Sequence, residues 1–199
     1  MQPLADTQQR ILDSARELFY ARSYADVGVA AICEHAGVKK GSFYHFFPSK
    51  RELTLAVLDA YYVDLKANLI DNAFADDLPP LARLERFAEL TYQFQKQVMA
   101  GTGQVLGCPF GNFASELSTQ DEPIREKVQR VFAQLQTQVR HVLHDAEEAG
   151  DLQNFDVSAT AQAMVAYFEG VLLLAKNQND PEVIRVLLPA IAQILIKRG

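Results

Sequence analysis

Apolar positions spaced by three and four residues run the length of the chain and predict one helix after another. Residues 7–22 place Ile11, Leu12, Ala15, Leu18 and Phe19 on one face, with Asp6 or Thr7 as the cap. Residues 29–35 do the same with Val29, Ile32 and Cys33, and a short helix over 39–46 points Phe43 and Phe46 inward. Residues 50–73 repeat Leu53, Ala56, Val57, Tyr61, Leu65 and Leu69. Asp76-Asp77 and Pro79-Pro80 break the pattern, and residues 78–99 resume it with Leu81, Leu84, Phe87, Leu90, Tyr92 and Phe94 until Gly101 and Gly103. In 105–117, Gly107, Pro109 and Gly111 make a poor helix interior, so a kinked or partly broken helix is expected there. An amphipathic helix follows over 122–148, then a helix apolar on all sides over 157–176, then a last one over 181–197. The reading is an all-α protein of about nine helices: a three-helix head over residues 1–49 and a larger helical domain over 50–199.

The stretch VAAICEHAGVKKGSFYHFFPSK, residues 29–50, carries the first chemistry. Gly37 tolerates a left-handed backbone, so the first short helix stops there and the chain turns. Pro48 ends the second and biases Phe47 away from helical geometry. Two short helices joined through a glycine form a helix-turn-helix, whose second helix enters the DNA major groove. Tyr24 and Val27 are expected to close the small core beneath it. The second helix presents Lys39, Lys40, Ser42, Tyr44 and His45, and Lys50 opens the next helix behind a Ser49 cap. Tyr44 and Lys50 are assigned to phosphates, with the helix start as an added anion site; Lys39, Lys40, Ser42 and His45 are assigned to base edges.

These residues resemble the DNA-binding domain of the TetR family of bacterial transcriptional regulators. The similarity runs from Leu12 to Leu53: Ala15 and Phe19, the Gly37-Val38 turn, KGSFYHFF over 40–47, and Ser49-Lys50 with Leu53. One departure is Gly28, where the family usually has a Ser or Thr cap; glycine is a tolerable cap but lacks the hydroxyl.

The net charge of −6 argues against nucleic acid only until the chain is divided. Residues 1–51 hold seven Lys/Arg against five Asp/Glu, a net +2, and the remainder holds twelve against twenty, a net −8. Local charge decides phosphate contact, so the acid lies away from the recognition helix. About half the residues are apolar, enough for a real core. No apolar run is expected to reach the roughly 18 residues of a membrane span, and MQPLADTQQR is no secretory signal. The two cysteines, Cys33 and Cys108, make no disulfide framework, no Cys/His cluster has zinc spacing, and no cofactor or metal is implied. A cytoplasmic location is expected.

The second half centres on GCPFGNFASEL, residues 107–117. This stretch is similar to the TetR subgroup that contains the repressor of N-ethylmaleimide reductase and other electrophile-responsive regulators. That resemblance implies a reactive cysteine at Cys108 and a lysine that hydrogen-bonds its modified form at Lys176. The residues alone leave two readings of each. Cys108 is a small buried hydrophobe or an accessible thiolate, and Lys176 is a sensor partner or a solvated cation at a helix end. Cys33 reads as core. A pocket lined by Tyr92, Phe94, Phe110, Phe113, Phe132, Met164, Tyr167 and Phe168, with Cys108, Asn112 and Glu116 as polar groups, has the make-up of a small-molecule site; each aromatic is equally readable as core.

The two closing helices are apolar all round and carry Ala163, Ala166 and Gly170, which permit close helix approach. An isologous dimer through 157–197 is expected, with Met164, Phe168, Leu172, Leu187, Leu188, Ile191 and Leu195 in the interface. His141 and His144 share a helix without a third metal ligand, and no catalytic serine motif or phosphate-binding glycine loop is present. The expectation is a homodimeric repressor on double-stranded operator DNA, released by a small apolar or electrophilic effector, with Cys108 as one route. The alternative is a helical binding protein or enzyme carrying the helix-turn-helix as an appendage.

Overall fold

The computed structural model describes residues 4–198. Nine helices are present among them: α1 (Leu4–Ala21), α2 (Val29–Ala36), α3 (Lys40–Phe46), α4 (Lys50–Leu65), α5 (Pro80–Thr102), α6 (Pro109–Leu117), α7 (Glu122–Glu148), α8 (Val157–Gln178) and α9 (Glu182–Leu187). α4 continues through a π-helical turn, Lys66–Ile70, into Asp71–Ala73, and α9 continues as a 3-10 turn, Leu188–Gln193. The described residues contain no strand; Phe155 and Lys197 make one isolated bridge.

Four local expectations are corrected. α1 begins at Leu4, so Asp6 and Thr7 lie inside its first turns and do not cap it. The stretch 105–117 holds no kinked helix: 105–108 is a loop, Gly107 has φ +72°, and α6 starts at Pro109, where the missing N–H costs nothing. The last helix is short, because Pro189 cannot donate to the preceding turn and the backbone tightens to 3-10. Phe47, at 5 % exposure, joins the wholly buried Phe43, while Phe46 is half-buried against His45.

The chain divides into two compact units, and the division is not the 1–49 and 50–199 expected from the sequence. The first runs up to Val63 and takes in Pro109–Gln129; the second holds Asp64–Cys108 and the chain from Arg130 on. In the first unit Ile11, Ala15, Phe19, Val27, Ile32, Phe43, Leu53 and Leu58 form the core. The turn between α2 and α3 is built as expected: Gly37 has φ +63°, and the Gly37 and Val38 amides donate to Glu34 and Cys33 carbonyls. Arg10 of α1 ties the turn down by donating to the Ala36 and Gly37 carbonyls. α6 belongs to this core: Phe113 meets Phe19 and Phe110 meets Tyr61, both edge to face.

In the second unit Phe87 of α5 packs between Phe74 and Phe168, at 5.3 and 5.0 Å between ring centroids. Arg83, nearly buried, bonds Asp76, Asp145 and the Leu78 carbonyl, which fixes the entry to α5. α8 starts at an Asp156 cap on the Ala159 amide and ends at Asn179 in the left-handed region. By length and composition Val157–Gln178 is long and apolar enough to cross a membrane, contrary to the sequence expectation; its buried residues include Met164, Phe168, Val171 and Leu172.

Candidate DNA-reading surface and sensor loop

α3 separates its two duties by side. Phe43 is fully buried, whereas Lys39, Lys40, Tyr44 and His45 are exposed and Ser42 is half-exposed. Lys39 sits at the N-cap in extended geometry, so two cations stand at the start of the helix that would enter the groove. Gly41 is open, with nothing within 4 Å of where a β-carbon would stand, and the backbone there approaches a surface unobstructed. Ser49 caps α4 as expected by accepting from the Glu52 amide.

Lys50 departs from its assignment. Its ammonium donates to the Tyr24 carbonyl and lies 3.7 Å from the centroid of the Tyr24 ring. Burial lowers its pKa, opposed by the nearby Glu116 charge. The cation therefore serves the loop between α1 and α2, and the exposed guanidinium beside it, Arg51, is paired with Asp121 at 2.6 Å. Glu116 also departs from its assignment as a ligand anchor. One carboxylate oxygen accepts from the Tyr24 amide at 3.0 Å and the other from the Ala25 amide at 2.6 Å.

The loop that carries Cys108 is held from two helices. The buried Gln95 side chain donates to the Gly107 carbonyl at 2.9 Å and accepts from its amide at 3.2 Å. Asn179 accepts from the Val105 amide and donates to the Gly103 carbonyl. A β-carbon on Gly107 would come within 3.3 Å of Lys176 Cδ, so the aliphatic stem of Lys176 lies against this loop while the residue as a whole is exposed. Cys108 is half-buried and hydrogen-bonds the Glu169 carboxyl of α8. Burial pushes Glu169 up to about 7, and the Cys108 hydrogen bond pulls the other way. Its Oε1 is buried without a partner. Cys33 is buried in α2, and desolvation raises its thiol pKa against the pull of Lys40.

The expected pocket set divides between the units. Phe110, Asn112, Phe113 and Glu116 lie in the first; Tyr92, Cys108, Tyr167, Phe168 and Lys176 lie in the second. Phe110 and Phe113 are core of the DNA-reading unit, Phe94 is exposed, and Tyr92 donates to Glu182. Tyr167 donates to the Leu187 carbonyl. Gln95 and Glu169 were not singled out from the sequence; the readable signal was a lone Gln or Glu on the apolar side of a helix. Of the expected interface, Met164, Phe168, Leu172, Leu188 and Ile191 are buried within their own chain, while Leu187 and Leu195 are exposed. Leu173, Leu174, Val186 and Ile196 are exposed as well and were missed.

A helical head with a buried aromatic turn and an outward row of lysines, tyrosine and histidine defines a helix-turn-helix DNA-binding regulator. Residues 11–57 match the model of the bacterial regulatory proteins of the tetR family, and residues 80–191 match a tetracyclin repressor-like C-terminal domain. The transcriptional regulator AcuR of Cereibacter sphaeroides is 33% identical over 87% of this chain and 78% of its own. The transcriptional repressor DhaR of a Mycobacterium is 26% identical over 95% and 92%. A TetR regulatory protein from Rhodobacter sphaeroides has a similar structure, with a TM-score of 0.82 and 30% identity over 94% of this chain and 98% of its own. The chain belongs to the TetR family of bacterial transcriptional regulators. It is a DNA-binding regulator and not an enzyme, and regulators of this family bind operators as dimers that answer small-molecule effectors. Reduced NemR of Escherichia coli, at 22% identity and a TM-score of 0.78 over 97% of this chain and 100% of its own, shares the fold.

Proposed function

We propose that this protein is a cytoplasmic, homodimeric repressor that holds two α3 helices in successive major grooves of its operator and lets go when an electrophilic or small apolar effector reaches the Cys108 loop. The observation that carries the DNA part is the split of α3, with Phe43 buried and Lys39, Lys40, Tyr44 and His45 in solvent. Lys39, Lys40, Ser42 and His45 read base edges and Tyr44 holds a phosphate. The effector part is supported by the pinned loop and the thiol-to-carboxyl hydrogen bond between Cys108 and Glu169. A carboxylate accepts the thiol proton as sulfur attacks an electrophilic carbon, and Lys176 stands beside the same loop. Effector binding shifts the population of dimers toward one whose recognition helices no longer fit both half-sites.

The test is operator binding before and after N-ethylmaleimide, on the operator that the purified protein selects from a randomised duplex pool, with Cys108→Ser alongside. Release in the parent and retention in the variant supports the thiol. Retention by both moves the effector to reversible binding in the second unit.

A further inference from the structure

We infer that Glu116 is the positioning residue through which the Cys108 loop reaches the DNA-reading helices, an inference that rests on the operator-binding function proposed above. Glu116 is charged and half-buried, yet it faces no ligand: its two oxygens are each taken by one backbone amide, Tyr24 and Ala25. Those amides belong to the loop that leads from α1 into α2. The same loop is held from the other side by Lys50, whose ammonium takes the Tyr24 carbonyl and sits over the Tyr24 ring. α2 has no side-chain cap of its own, because Gly28 stands at its N-cap and offers no hydroxyl. The start of α2, and through the Gly37 turn the angle of α3, thus depends on where the loop is held.

Glu116 sits at the far end of α6 from the sensor loop. α6 begins at Pro109, the residue after Cys108. From Pro109 to Glu116 the helix advances roughly 10 Å at about 1.5 Å per residue, with no break among the described residues. Its apolar side is fixed in the head by Phe110 against Tyr61 and Phe113 against Phe19. A displacement of Gly107-Cys108 has a rigid element to act on, and the carboxylate at its end is bonded to the entry of α2. This is a discrete hydrogen-bonded connection, and it makes a defined prediction about coupling.

The experiment is a double-mutant cycle on operator affinity that needs no effector. Gly107→Ala disturbs the sensor loop directly, since Gly107 has φ +72° and a β-carbon there stands 3.3 Å from Lys176 Cδ. Glu116→Gln keeps the shape but removes the charge and one acceptor. Gly107→Ala is expected to change operator affinity at least about fivefold alone and less than about twofold in the Glu116→Gln background. Equal changes in the two backgrounds, or no change in the parent background, overturn the inference. Hydrogen exchange of the Tyr24 and Ala25 amides covers the case in which the double variant does not fold. Both amides are expected to exchange faster in Gly107→Ala than in the parent; unchanged protection overturns the inference as well. Failure of N-ethylmaleimide to release the parent defeats the Cys108 reading alone and leaves this cycle to stand or fall by itself.

Discussion

Phe113 of α6 meets Phe19 of α1 edge to face, with ring centroids 5.9 Å apart. The two residues are distant in sequence, and their packing makes α6 part of the head. Aromatic pairs in this geometry add about 0.5–1.5 kcal/mol beyond their buried area. Phe113→Ala is expected to destabilise the protein by roughly 3–5 kcal/mol through the cavity it leaves. Urea unfolding measures this. A loss under about 1 kcal/mol would mean that Phe113 is not core.

Lys50 yields a prediction opposite in kind to that of a phosphate-binding lysine. Its ammonium is spent on the Tyr24 carbonyl and ring. Lys50→Ala should lower stability by about 1–2 kcal/mol and leave the dependence of operator affinity on salt unchanged. Replacing Lys39 and Lys40 together by Ala should flatten that dependence by roughly 0.9 for each phosphate that the protein then leaves unneutralised. Salt titrations of the three proteins separate the cases. A flattened slope in Lys50→Ala returns that residue to the DNA.

Phe113 and Lys50 mark where sequence patterns stop being informative. The recognition helix was legible because its evidence is local: a glycine turn, a proline stop, and apolar spacing that buries Phe43 while polar side chains face out. The allegiance of α6 was not legible. Phe110, Phe113 and Glu116 have the composition of a pocket wall, and only their partners Tyr61, Phe19 and Tyr24, far away in sequence, make them structural. The direction of Lys50 was hidden for the same reason, since a lysine at a helix start reads alike whether it faces solvent or a neighbouring ring. In α8, apolar on every side, periodicity could not tell Phe168, which packs on Phe87, from Leu173, which faces out.

Glu169 makes stability depend on pH in a direction contrary to that of an ion-paired carboxylate. Burial raises its folded pKa from 4.5 to about 7. The folded protein therefore holds this proton more tightly than the unfolded chain does. The stabilisation is full below pH 4.5 and is lost as pH rises to about 7. At 1.36 kcal/mol per unit the loss is roughly 3 kcal/mol. Asp77, Glu122 and Glu182 have lowered pKa values and act with the opposite sign, so the quantity to measure is the difference between the parent and Glu169→Gln. Glu169→Gln should gain on the parent as pH rises from 5 to 8. Parallel stability curves would place Glu169 in water.

The exposed apolar side chains of α8 and α9 set the last prediction. Leu173 is 66 % and Val186 64 % exposed, and Leu174 and Leu187 beside them are also open. Water-facing leucines and valines on two neighbouring helices are the kind of surface that a second copy covers, and a two-fold axis would bring the same residues together from both chains. The buried members of the expected interface, Met164, Phe168 and Leu172, instead hold α8 to its own unit, so changing them would unfold the protomer without testing association. A carboxylate at an exposed position leaves the protomer core alone and places like charges near the axis. Leu173→Glu and Val186→Glu are each expected to give a folded monomer by sedimentation velocity, with unchanged helix content. Operator affinity should fall steeply with them, since one half-site no longer helps to hold the other. A variant that stays dimeric would move the interface to another face of the second unit.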